Sequence, residues 1–277
     1  MTAEQCPEDL IQVKPFLKWA GGKRWLLPEL QKYLPDELGC YFEPFLGGGA
    51  VFFGVKPQQA VLSDLNPELI QLYRVVRDEP DELERLLYLH QQHHCKEYYY
   101  ETRAAKPTSR IEQAAWMLYL NRTCFNGLYR VNRRGEFNVP IGTKTKVVFE
   151  DESFRALSCA LANADLNSQD FEATIQQANN GDFIYVDPPY TVAHNFNGFL
   201  KYNDNIFSWD DQVRLRETLD DAAVRGARII VSNANHDSIR ELYRGFGEVK
   251  ELPRYSAIAG PAGRRVPTSE LLICMGG

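Results

Sequence analysis

No Cys-x-x-Cys pair occurs in the 277 residues, which removes the usual ligand spacing of a structural zinc site. The six cysteines (Cys6, Cys40, Cys95, Cys124, Cys159 and Cys274) stand singly and no signal-peptide pattern opens the chain, so reduced thiols in a cytosolic setting are the expectation. No apolar run reaches the roughly 20 residues that a membrane-spanning helix needs. Repeats and low-complexity tracts are also missing. Positive charge is in deficit: 31 Lys and Arg face 37 Asp and Glu, a net charge of −6. The surface as a whole therefore does not attract nucleic acid, and any nucleic-acid face must be a local basic patch on an acidic body. What remains, at 44% hydrophobic and 25% charged residues, is an ordinary globular composition with room for one large domain or two smaller ones.

One stretch organises the rest. Phe183-Ile-Tyr-Val186 is apolar, β-branched and aromatic, the pattern of a buried strand. Asp187, Pro188, Pro189 and Tyr190 follow at once. Neither proline donates a backbone hydrogen, so no ladder continues through them, and Pro188 holds Asp187 extended. The expected product is a stiff loop at the carboxyl end of a strand, where open α/β sheets bind ligands. It offers a carboxylate, the Pro188 carbonyl and the face of Tyr190. Two acceptors beside a flat ring suit a planar group that carries an NH2, such as a nucleobase amine.

Upstream, Tyr41-Phe-Glu-Pro-Phe-Leu-Gly-Gly-Gly-Ala50 reads as a strand entering a glycine loop, and Ala60-Val-Leu-Ser-Asp64 as a strand ending on an acid. Strand, glycine turn, helix, strand, acid is the layout of a nucleoside-binding α/β half. Asp64 can accept both ribose hydroxyls. A nicotinamide dinucleotide site wants a third glycine where bulky Phe52 stands, because the pyrophosphate and the helix must approach closely there. The ligand expected is one without pyrophosphate, such as S-adenosylmethionine. Lys18, Trp19 and Lys23 surround the Gly21-Gly22 turn, which lacks the Walker A spacing. Ala164 to Asp170 reads as a further strand leading to an acid near the cofactor. Arg24–Leu34, Glu68–Val76, Leu83–His94, Ile111–Leu120 and Glu152–Leu161 read as helices. Ser208-x-x-Asp211 reads as the cap of a helix that ends at Gly226.

Residues 121–146 break the acidic trend. Arg122, Arg130, Arg133, Arg134, Lys144 and Lys146 face a single acid, Glu136, with Phe125, Tyr129 and Phe137 interleaved. Asn126-Gly127, Arg134-Gly135 and Ile141-Gly142 mark turns or hairpins. Basic density with aromatics and asparagines, Asn126 and Asn138 among them, is what backbone contact plus base readout needs. A second basic turn carries Arg264 towards phosphates. His90, His93 and His94 fall on one helix beside Gln91, Gln92 and Lys96, and are read as solvated surface residues.

Together FLKWAGGK at 16–23, FEPFLGGGAVFF at 42–53, SDLN at 63–66, NGLYRVNRRGEFNVPIG at 126–142 and DPPY at 187–190 resemble the DNA adenine methylases of the Dam type, over roughly Pro15 to Cys274. The resemblance implies a Rossmann-like α/β fold of the S-adenosylmethionine-dependent methyltransferases, with a mostly parallel sheet, an antiparallel closing strand and a helical and hairpin insertion. Residues 14–66 and 151–277 would form the catalytic domain, and 67–150 the target-recognition domain. It implies site-specific methylation of adenine N6 in double-stranded DNA, in GATC, on a flipped base and without metal. Trp19, Lys23, Phe45, Gly47, Gly49, Asp64, Asp170 and Asp187 become cofactor contacts, and Asp187 to Tyr190 the catalytic tetrapeptide. Phe125 would wedge into the duplex, Arg130 would read guanine, and Leu128 and Pro140 would meet thymine, with Asn126, Arg133, Asn138 and Arg264 completing the DNA contacts. A cytoplasmic, nucleoid-associated monomer is expected, acting with a restriction nuclease or alone. Two alternatives stay open: a non-catalytic DNA-binding protein on a methyltransferase fold, and an N4-cytosine enzyme, although the latter's tetrapeptide usually begins with Ser.

Overall fold

The computed structural model describes residues 13–132, 134–192, 207–254 and 268–276. Its strands are β1 (Tyr41–Glu43), β2 (Ala60–Asp64), β3 (Ala164–Ser168), β4 (Phe183–Val186), β5 (Arg228–Ala234), β6 (Glu248–Arg254) and β7 (Thr268–Met275), in one sheet of order β3-β2-β1-β4-β5-β7-β6. β1 pairs in parallel with β2 and β4, and β4 with β5; β7 is antiparallel to both β5 and β6. This is the expected Rossmann-like α/β architecture. All four residues of β4 are buried, as a strand covered on both faces requires. The strand order reverses between β1 and β4, and at such a point ligands bind beyond the carboxyl ends of the strands. Asp187 leaves β4 there.

The helices are α1 (Leu27–Leu30), α2 (Ala50–Val55), α3 (Pro67–Asp78), α4 (Pro80–His93), α5 (Lys96–Ala104), α6 (Arg110–Thr123), α7 (Phe154–Leu161), α8 (Phe171–Ile175), α9 (Trp209–Val224) and α10 (Asp237–Leu242). Contacts divide the chain into two compact units. One comprises Met1–Lys32, Leu46–Gln58 and Asp64–Ser168; the other comprises Tyr33–Phe45, Gln59–Ser63 and Gln169–Gly277.

In the first unit, α3, α4, α6 and α7 pack on one another. α6 is buried continuously from Ala114 to Thr123, which marks a helix enclosed by its neighbours rather than lying on a surface. In the second unit, Phe42, Ile184, Val186, Ile229 and Val231 of the sheet pack against Phe171, Leu215, Leu219 and Ile239 of α8, α9 and α10. Each such side chain contributes about 1.5–3 kcal/mol when fully buried. Ser208 and Asp211 form the reciprocal capping box read from the sequence, and Gly226 closes that helix at a φ of +95°.

Two expectations need correction. The helix read over 24–34 is a 3-10 turn at Arg24–Leu26 followed by a single α turn. Pro28 favours a helix start at that point and Pro35 disfavours helical Leu34, while Trp25 is 38% exposed and offers no buried face. The basic stretch is less regular than hairpins. A 3-10 turn at Phe125–Gly127 is followed by two isolated bridges, Cys124 with Ile141 and Val131 with Phe137.

Candidate functional site

In the first unit the glycine loop is drawn to Asp64. The Gly47 N–H donates to Asp64 Oδ2 and the Asn66 N–H to Oδ1, each at 3.0 Å, while the Tyr73 hydroxyl donates to the Gly47 carbonyl at 3.1 Å. Gly47 and Gly49 have φ values of +48° and +63°, a region glycine enters without strain. A Cβ on Gly47 would stand 2.8 Å from Trp19 Cδ1, so the indole packs directly on the loop backbone. Trp19 is itself stacked on Tyr129, with ring centroids 5.2 Å apart. Burial raises the Asp64 carboxyl above its ordinary range, and the two backbone hydrogen bonds oppose that only in part. Lys23 is buried at 3% exposure. Leu65, directly after Asp64, is 65% exposed. This leaves an apolar side chain in solvent beside a candidate ribose acceptor, an exposure that sequence periodicity does not register.

These residues fit S-adenosylmethionine in chemistry. Asp64 is an acceptor at a strand end, the glycine loop offers backbone without side chains at Gly47 and Gly49, and Leu65 supplies an apolar surface. Phe45 and Asp170 belong to the second unit. Phe45 stacks on Phe171 at 5.5 Å between ring centroids. Asp170 caps α8 and is clamped by Arg214, whose Nη1 and Nη2 approach its two oxygens at 2.7 and 3.0 Å. That ion pair holds the Asp170 carboxyl below its usual range.

The second unit also carries the proline loop. Asp187 is half-buried, and the Ser232 hydroxyl donates to its Oδ1 at 2.9 Å. Tyr190 is half-buried rather than sunk in the core, and its hydroxyl donates to Glu270 Oε2 at 2.9 Å. Gln212 Nε2 donates to the Pro189 carbonyl at 3.3 Å, and Asn233 Nδ2 donates to Gln212 Oε1 at 3.2 Å. Burial, joined by the Asp187 and Glu270 charges, drives the Tyr190 phenol far above its ordinary range. The loop is thus held from β5, α9 and β7 together. Ser232, Gln212, Asn233 and Glu270 escaped the sequence reading because single polar residues inside strands and helices have no local signature; only tertiary packing brings them to the loop.

Within residues 121–146, Phe125 is 52% and Leu128 44% exposed, on a turn where Asn126 adopts a φ of +57° and Gly127 of +67°. Arg130 and Pro140 are exposed, and Arg130 Nε donates to Asn138 Oδ1 at 2.8 Å. Asn138 therefore holds Arg130. Arg133 and Arg264 lie outside the described residues. The remaining aromatics are structural: Phe137 is buried against Trp116, and the Tyr129 hydroxyl donates to Glu68 at 3.0 Å.

Arg122 does not belong to the basic surface. It is 4% exposed; its Nη atoms donate to the carbonyls of Val147 and Phe16 and to Glu152 Oε1 at 2.6 Å. It borders a partly open pocket of about 220 Å³. The histidines are not simply solvated either. His90 stacks on Tyr119 with centroids 4.6 Å apart and lies 2.8 Å from the Tyr98 hydroxyl, and burial lowers its pKa to about 4. Cys159 is disulfide-bonded, so not every cysteine is reduced as expected; Cys95 and Cys124 carry free thiols. Among the described residues no helix is long and apolar enough to cross a membrane, and no group of three or more His, Cys, Asp or Glu side chains is arranged for a metal ion.

Comparison with known proteins gives consistent results. The family profile described as D12 class N6 adenine-specific DNA methyltransferase matches residues 19–256. A Type II methyltransferase of Lactococcus lactis subsp. cremoris is 42% identical over 245 residues, covering 85% of this chain and 86% of that one. A Type II methyltransferase of Methanocaldococcus jannaschii is 35% identical over 268 residues, 88% and 92% of the respective chains. A DNA adenine methylase of Escherichia coli is 34% identical over 265 residues, 94% of each chain.

Proposed function

The chain belongs to the D12 class of N6 adenine-specific DNA methyltransferases, and from that membership we propose that it methylates a flipped adenine in duplex GATC sites with S-adenosylmethionine as donor. The observation that carries this reading is the tethered loop after β4, where Asp187, two prolines and a half-buried Tyr190 are held at the point of strand reversal. A base inside a duplex is out of reach, so the target must be extruded. The adenine amine is a poor nucleophile because its lone pair is spread into the ring. Asp187 and the Pro188 carbonyl accept its hydrogens and return electron density to nitrogen, while Tyr190 stacks on the ring. When bound, S-adenosylmethionine supplies an electrophilic methyl on a sulfonium. The protein's part is position and electrostatics.

Trp19, Lys23, Gly47, Gly49, Asp64 and Leu65 are assigned to the cofactor, with Phe45 at its methionine end; Asp170 keeps its assignment through a carboxylate that Arg214 holds ionised. Residues 67–150 are assigned to target recognition, and 14–66 with 151–277 to catalysis. Phe125 and Leu128 meet the bases, Arg130 reads guanine with Asn138 orienting it, and Asn126 and Pro140 frame the turn. Burial first and the neighbouring Lys144 after it hold the Lys18 ammonium below its ordinary range; a backbone phosphate beside the two lysines relieves that repulsion. A monomer in the cytoplasm completes the reading.

Sequencing that detects modified bases, applied to DNA from a methylation-deficient host expressing the protein, tests it. N6-methyladenine in GATC is the expected result; methylcytosine or unmodified DNA rejects the reading, and methyladenine in another context rejects GATC alone.

Two further outcomes follow from single side chains. Asp64→Asn should weaken S-adenosylmethionine binding about 10- to 100-fold, the range of hydrogen bonds to a charged acceptor. In the unsubstituted protein affinity should fall as pH drops through the raised Asp64 carboxyl, that is, above the ordinary 3.8, because the protonated form accepts less well. Calorimetry across pH should show that limb, and Asp64→Asn should lack it. Phe125→Ala should leave cofactor binding unchanged and lower kcat/KM for duplex DNA about 10- to 100-fold, the worth of one aromatic contact to a base; a 2-aminopurine placed at the target adenine should report less extrusion.

A further inference from the structure

Val186 of β4 pairs in register with Val231 of β5. One residue on, the same register sets Ser232 beside Asp187, and Tyr185 falls on their side of the pleat because alternate residues share a face. The Ser232 hydroxyl has one hydrogen. A carboxylate only accepts, so that hydrogen goes to Asp187 Oδ1 at 2.9 Å. Tyr185, whose hydroxyl lies 3.2 Å from Ser232 Oγ, is then obliged to donate. Both residues are 1% exposed, so water does not compete for either bond. We propose that Tyr185 and Ser232 form a hydrogen-bond relay of positioning residues that sets the rotation of the Asp187 carboxylate for the target amine. This rests on Asp187 being the catalytic carboxylate, as read above.

Three physical points support the relay. Its polarity is fixed along its whole length, and hydrogen bonds in such a chain strengthen one another in a low dielectric. Tyr185 stays protonated, because burial first and the charges of Asp187, Glu43 and Glu270 after it push its phenol far up. The other titratable groups near the loop have hydroxyl–carboxylate bonds of their own: Glu43 on β1 accepts from Tyr41 at 2.7 Å, and Glu270 on β7 accepts from Tyr190 at 2.9 Å.

The test compares Ser232→Ala, Tyr185→Phe and Asp187→Asn in melting temperature, S-adenosylmethionine binding and single-turnover methylation of unmethylated genomic DNA across pH. Ser232→Ala should lower the rate about 10- to 100-fold, the scale of a small misplacement at a reacting centre, without weakening cofactor binding. It should also move the acid limb of the rate profile up by about one pH unit, because losing a donor to a carboxylate disfavours its ionised form. Tyr185→Phe should shift the limb the same way by less, and serves alone if Ser232→Ala does not fold. An unmoved limb in both variants, with the rate either intact or reduced equally at every pH, overturns the relay. If Asp187→Asn itself methylates at the unsubstituted rate, the catalytic assignment fails instead.

Discussion

Asp187→Asn should lower single-turnover methyl transfer by about 10³-fold or more, in the range seen when a charge-stabilising group is removed from a reacting centre. Melting temperature should stay close to that of the unsubstituted protein. The substitution is nearly isosteric, so packing around β4 and Pro188 is undisturbed. It is not neutral in hydrogen bonding. The Ser232 hydroxyl, 2.9 Å from Oδ1, selects an acceptor and so keeps the amide oxygen. The amide NH2 is then the group left to meet the adenine amine, a donor set against a donor. Asp187→Ala removes the same acceptor but also leaves Ser232 without its partner, so it should show a lower melting temperature as well. Rapid-quench measurement with methyl-labelled cofactor separates the chemical step from product release. Retention of more than a tenth of the rate in Asp187→Asn would exclude an ionised carboxylate from the reaction.

What could be read ahead of the structure follows a physical rule. β4 and its loop were legible because a run of buried apolar residues stopped by two prolines leaves few alternatives. The helix after Ser208 was legible because both halves of its cap lie within four residues of sequence. Asp64 was legible as an acid closing a strand. The tethers of the loop were not: Ser232, Gln212 and Glu270 come from β5, α9 and β7, and only the register of Val186 with Val231 and of Ala234 with Glu270 brings those strands' polar side chains to Asp187 and Tyr190. Nor could basic composition separate Arg122 from Arg130. Both sit in one arginine-rich stretch, yet the first closes α6 inside its unit and the second stands in solvent.

Arg122→Ala should therefore behave as a stability mutant and not as a DNA-contact mutant. The guanidinium, 4% exposed, serves the carbonyls of Phe16 and Val147 and the Glu152 carboxylate, and lies over the Phe149 and Phe154 rings at 5.0 and 5.6 Å. Removing it strands two buried carbonyls and a carboxylate with 14% side-chain exposure. Breaking a buried ion pair from one side costs about 3–5 kcal/mol, a large share of a typical 5–15 kcal/mol stability, and lowers the melting temperature by about 10 °C. The pH dependence has a definite sign. Burial already raises the Glu152 carboxyl, with Arg122 opposing it; without Arg122 it rises further above its unfolded value. A raised carboxyl favours the folded state at pH below the unfolded pKa, and that advantage is lost as pH climbs through the folded one. The deficit of Arg122→Ala should thus be greatest near neutrality and shrink on acidification towards pH 5. Arg122→Met combined with Glu152→Leu should recover most of the loss, because apolar side chains of similar volume replace a buried pair at little cost. If Arg122 contacted DNA instead, Arg122→Ala would melt normally and lose duplex affinity with a reduced salt slope. Calorimetric melting across pH, set beside salt-dependent DNA binding at low temperature, decides between a core residue and a surface one.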